Sequence, residues 1–137
     1  MSGAGADLAF LGARRLAALV RERTVSPVEL TQLYLARIDR LDPRLHAYIT
    51  VLPDAALATA RRAEAAVMRG AALGPLHGVP YAVKDQFDTA GVRTTSGVLP
   101  RSSAMFPAKK RRRCASLVPI IVSSNFASGS RPPSGCG

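Results

Sequence analysis

No side-chain carboxylate follows Asp88. All nine acids of the 137-residue chain fall within residues 1–88, beside eleven of its nineteen Lys and Arg, for a net charge of +2. Residues 89–137 carry the other eight bases and a net of +8. A soluble domain normally intersperses both signs over its surface, so two stretches this different do not read as halves of one domain. The ordered fold is therefore expected from the front part. A length of 137 residues suits one domain with a modest core, and is too short for a large sheet covered by helices on both faces. With only 5% aromatic residues and no Trp, that core must be built from Ala, Leu and Val.

Periodicity and capping residues divide the front part into elements. Leu8, Leu11, Leu16, Leu19 and Val20 recur at near-helical spacing and predict an amphipathic helix from Asp7 to Arg23, ended by Thr24 and Val25. Ser26, Pro27 and Glu29 form an S-x-x-E start signal for a second helix with the stripe Leu30, Leu33, Tyr34, Ile38 and Leu41. Asp42-Pro43 is expected to stop it. Ala47 to Leu52 is β-prone, and Asp54 stands as the N-cap of an alanine-rich helix from Ala55 to Arg69, with Gly70 as its C-terminal cap. Gly74 to Pro80 reads as a loop and Tyr81 to Phe87 as a strand, with Tyr81, Val83 and Asp85 on one side and Ala82 and Lys84 on the other.

The back part is a different kind of sequence. From Arg101 onwards there is little periodicity, a basic run at Lys109 to Arg113 and a Ser, Gly and Pro-rich end, which together predict disorder. The basic run has no interleaved aromatics, so it predicts at most non-specific attraction to nucleic acid. A small non-enzymatic basic protein that binds RNA or another polyanion through this tail is the alternative to an enzyme. Cys114 and Cys136 lack CxxC spacing and neighbouring histidines, so no metal or redox site is expected, and no motif calls for a cofactor. The N-terminus lacks a basic stretch followed by an apolar one, and the run Leu117 to Val122 is short and broken by Pro119. A cytoplasmic location without membrane contact is the default expectation; oligomeric state is open.

Lys84 is the residue whose placement demands a reason, since it stands inside an apolar segment bounded by Gly and Pro. Pairing with Asp85 or Asp88 is the ordinary one. The wording around it points further. Leu76-His77-Gly78-Val79-Pro80, then Val83-Lys84-Asp85, then Asp88, Gly91 and Thr94-Thr95 resemble the catalytic-lysine segment of the amidase signature family. These are serine hydrolases that include amide hydrolases and the A subunit of the tRNA-dependent amidotransferase. Ser26-Pro27-Val28-Glu29-Leu30, Ala36-Arg37-Ile38 and Leu45-His46-Ala47-Tyr48 are similar to the family's helical N-terminal region, so the resemblance spans roughly residues 7–97.

The resemblance implies an α/β fold. Residues 1–97 would be its N-terminal part, helices leading into the first strands of a mixed sheet, and residues 98–137 a disordered or frame-shifted basic tail. It implies a Ser-Ser-Lys mechanism on a small-molecule carboxamide, with Lys84 as the catalytic lysine. Both serines of the family come from a Gly-Gly-Ser-Ser-Gly-Gly type segment, which is absent here. Ser123-Ser124, Ser128-Gly129-Ser130 and Ser134-Gly135 are not flanked by paired glycines on both sides. His46 and His77 are expected as loop or packing residues. The fragment itself is thus expected to be inactive, with a free amidase and the A subunit of an amidotransferase equally open. A one-base shift can turn codons for Lys110 to Cys114 into Ser-Asp-Ala-Ala-Val, which resembles the opening of the family's next helix and would explain the missing acids and serines together.

Overall fold

The computed structural model describes residues 8–85, 87 and 92, together with the backbone of residues 118–119. Among the described residues three helices, α1 (Ala13–Arg21), α2 (Pro27–Leu45) and α3 (Pro53–Met68), precede two short strands, β1 (Pro80–Tyr81) and β2 (Val118–Pro119). The architecture is α/β, with helices leading into parallel strands. The basic run at Lys109 to Arg113, both cysteines and the tail serines lie outside the described residues.

The first helix starts later than its periodicity predicts. Gly12, extended at ψ 149°, serves as N-cap, because a residue without a side chain disfavours the helix interior and tolerates the cap. Leu16, Ala17 and Val20 form the buried stripe. The helix also ends at Arg21, two residues before the predicted Arg23: the Arg23 N–H donates to Val20 O at 3.1 Å and the Thr24 N–H to Leu19 O at 2.9 Å, with Arg23 left-handed at φ 59°. That pairing is a Schellman closure.

At α2 the predicted capping box is present. Ser26 Oγ accepts from the amides of Val28 (2.9 Å) and Glu29 (3.4 Å), and the Ser26 N–H donates to Glu29 Oε2 at 3.1 Å. The Ser26 hydroxyl also donates to Glu64 Oε1 at 2.5 Å, which ties the start of α2 to α3. Ser26→Ala removes the bonds of the hydroxyl to Val28, Glu29 and Glu64 at once, and an equilibrium urea melt is expected to show a loss of about 1–2 kcal/mol.

Contrary to expectation, α2 does not stop at Asp42-Pro43 but continues through Pro43 to Leu45. A proline one turn from the end removes a single backbone donor, and the Asp42 carboxylate offsets this by closing the helix. Its Oδ1 accepts from the amides of Ala47 (2.7 Å) and Tyr48 (3.1 Å), beyond a left-handed His46. The same bonds explain why Ala47 to Leu52 is not the predicted strand. Two of its amides are held by a side chain, while Tyr48 and Val51 pack on the core.

α3 begins at Pro53, with Leu52 rather than Asp54 as N-cap. Proline at the first helical position has the right φ and lacks only a donor that would go unpaired there. Ala56, Ala60, Ala63 and Val67 are its buried stripe, a row of small side chains that lets α2 approach closely. Gly70 closes it in the left-handed conformation (φ 66°) with a second Schellman pair, Gly70 N–H to Val67 O and Ala71 N–H to Ala66 O, both 3.1 Å. The core has two parts, one around Ile38 and the α3 alanines and one of Leu16, Ala17, Val20, Leu30, Val67 and Val79. Tyr34 packs on both.

β1 pairs in parallel with β2, Pro80 opposite Val118 and Tyr81 opposite Pro119. The predicted strand Tyr81 to Phe87 is thus shifted and cut short, since the Phe87 N–H donates to Lys84 O at 3.0 Å and turns the chain. β2 stands within the stretch expected to be disordered, and its backbone lies against α3 while β1 lies against α2. No helix among the described residues is long and apolar enough to cross a membrane.

Candidate functional site

The loop before β1 is held by all three helices. From the last turn of α1, Arg21 Nη2 donates to Gly74 O at 2.9 Å and to Pro75 O at 2.8 Å. His77 is buried, with Nε2 2.9 Å from Ala63 O on α3. Gly78 is left-handed at φ 76° and so close to the helices that a Cβ on it would sit 2.9 Å from Pro27 Cγ on α2 and 3.0 Å from Val20 Cγ1 on α1. Val79 then enters the core. The chain thereby reaches β1 at a fixed place.

Lys84 follows three residues after β1. It is exposed and lies outside the strand, contrary to the strand expected over Tyr81 to Phe87. The physical reason is the early end of β1: the chain leaves the sheet after Tyr81, and no described neighbouring strand covers this turn. Of the predicted opposition of faces only the last pair remains, Asp85 buried at 5% exposure beside an exposed Lys84, since Tyr81 and Ala82 are both exposed. His46 caps α2 on the surface and His77 packs inside, the roles expected of them. Among the described residues no group of three or more His, Cys, Asp or Glu is arranged to hold a metal ion. An open groove of about 620 Å³ lies elsewhere, between the second half of α2 and Val51 and Pro53, and contains no residue of the segment from Leu76 to Asp85. Sequence reasoning missed the Arg21 clamp, for a basic residue in the last turn of a helix ordinarily reads as a complement to its dipole.

The amidase family matches residues 29–110, more than half of the chain, taking in the whole loop and Lys84 and running on past Gly97. The chain belongs to the amidase family. Among curated amidase-family relatives, the A subunit of glutamyl-tRNA(Gln) amidotransferase from Methylococcus capsulatus is 55% identical over 82 residues, covering 60% of this chain and 17% of that protein. Its counterpart from Geobacter sulfurreducens is 44% identical over 115 residues, or 80% of this chain and 24% of that protein. Among solved structures, the peptide amidase of Stenotrophomonas maltophilia superposes with a TM-score of 0.70 at 32% identity, covering 85% of this chain and 24% of that one. A bacterial aryl acylamidase of the amidase signature enzymes superposes at 0.54 and 32% identity, over 56% of this chain and 16% of that one. The chain thus spans about a quarter or less of the length of these relatives.

Proposed function

We propose that this chain carries the lysine-bearing segment of an enzyme that hydrolyses carboxamides, with Lys84 as the base that activates a serine. The observation that carries the reading is the coincidence of the family match with a loop that three helices hold in place immediately before Lys84. A lysine can take a proton from a serine only in its neutral form, and burial is one means of favouring that form. Exposed as it is here, Lys84 needs a cover that also brings the serines within hydrogen-bond reach. With both in place, the serine attacks the amide carbonyl, an acyl-enzyme forms and the amine leaves with the proton that Lys84 held.

The chain alone is expected to be inactive. The test is a hybrid in which residues 8–110 replace the matching segment of the Stenotrophomonas maltophilia peptide amidase, assayed by ammonia release from a peptide amide. Measurable turnover by the hybrid, with none above background from the isolated chain, is the expected result. A folded hybrid without turnover sinks the reading, as does amide hydrolysis by the isolated chain that survives loss of Lys84.

A further inference from the structure

We infer that His77 positions the Lys84 segment by pinning the entry of β1 to α3. The inference rests on the reading of Lys84 as the base. A backbone carbonyl has no hydrogen to give, so the 2.9 Å contact with Ala63 O requires that Nε2 of His77 carry the hydrogen and donate it. The side chain is 6% exposed, and an apolar ring would fill the same space. A buried histidine used only for packing does not need a donor aimed at a carbonyl in the middle of a helix.

The residues after His77 transmit the constraint. Gly78 has no room to shift against Pro27 and Val20, Val79 is buried, and Pro80–Tyr81 pairs with β2, whose backbone lies against the same α3. One bond from His77 therefore fixes the helix, the strand entry and the sheet relative to one another. Beyond β1, the Phe87 N–H to Lys84 O bond closes the turn that presents Lys84. Arg21 grips the loop further upstream, at Gly74 and Pro75, and leaves the strand entry to His77.

The test uses the full chain and needs no activity. His77→Leu keeps bulk and removes the donor, whereas His77→Gln keeps an N–H at similar reach. In the leucine variant the amides of Tyr81 and Phe87 are expected to exchange with solvent about tenfold faster, the loss of one buried hydrogen bond, while amides within α1 keep their protection. The glutamine variant restores most of it. Long-range proton–nitrogen spectra of the wild-type ring are expected to show the hydrogen on Nε2. Unchanged exchange at Phe87 in the leucine variant, or a hydrogen on Nδ1 alone, overturns the inference. Should the leucine variant not fold, Phe87 exchange in the glutamine variant decides: wild-type protection supports the pin, and tenfold loss refutes it. An inactive hybrid would sink the Lys84 reading and leave these results standing.

Discussion

Gly78→Ala is expected to destabilise the fold by about 2–5 kcal/mol. Two effects add. The residue is left-handed, which costs an L-amino acid about 1–2 kcal/mol. The new Cβ would also meet Pro27 Cγ at 2.9 Å and Val20 Cγ1 at 3.0 Å, and neither neighbour yields easily. Pro27 is a rigid ring fixed in the first turn of α2, and Val20 is 1% exposed in the core. Forced overpacking of this kind costs about 1–3 kcal/mol. Gly70 supplies the control, since it is left-handed too, at φ 66°, but a Cβ there meets nothing within 4 Å. Gly70→Ala should therefore cost only the conformational part, about 1–2 kcal/mol. Urea midpoints of the two variants measure the difference, and equal shifts would show that the close approach at Gly78 is not tight. Against a total stability of about 5–15 kcal/mol for a small domain, the Gly78 variant is expected to be partly unfolded near 37 °C.

Gly78 also shows which parts of the structure the text of the chain could reveal. Features written in adjacent residues were legible: the Ser26 to Glu29 capping box, the Gly70 closure, the alanine core implied by composition, and the motif from Leu76 to Asp85. Features decided by a distant partner were not. The Arg21 clamp reaches 53 residues along the chain, and the partner of β1 lies far downstream in a stretch without periodicity. Local propensity lost to side-chain competition at Asp42, whose carboxylate took the amides a strand would have used. Lys84 was found by its neighbours in sequence, yet its exposure depends on what covers the turn, and no local pattern encodes that.

Lys84→Ala in the peptide amidase hybrid is expected to lower turnover about 10²–10⁴-fold, the usual contribution of a positioned base. The stability of the isolated chain should change by less than about 0.5 kcal/mol, because the side chain is exposed. Loss of activity alone would not distinguish a base from a cation that merely steadies Asp85 or Asp88. Lys84→Arg does. A guanidinium keeps the charge and the donors but does not give up its proton in a protein, so it can replace an ion-pairing lysine and cannot replace a base. If Lys84 is the base, the arginine hybrid is as inactive as the alanine one. If the arginine hybrid retains a tenth or more of the turnover, the role of position 84 is electrostatic, and the proton acceptor must be sought on the segment that supplies the serine.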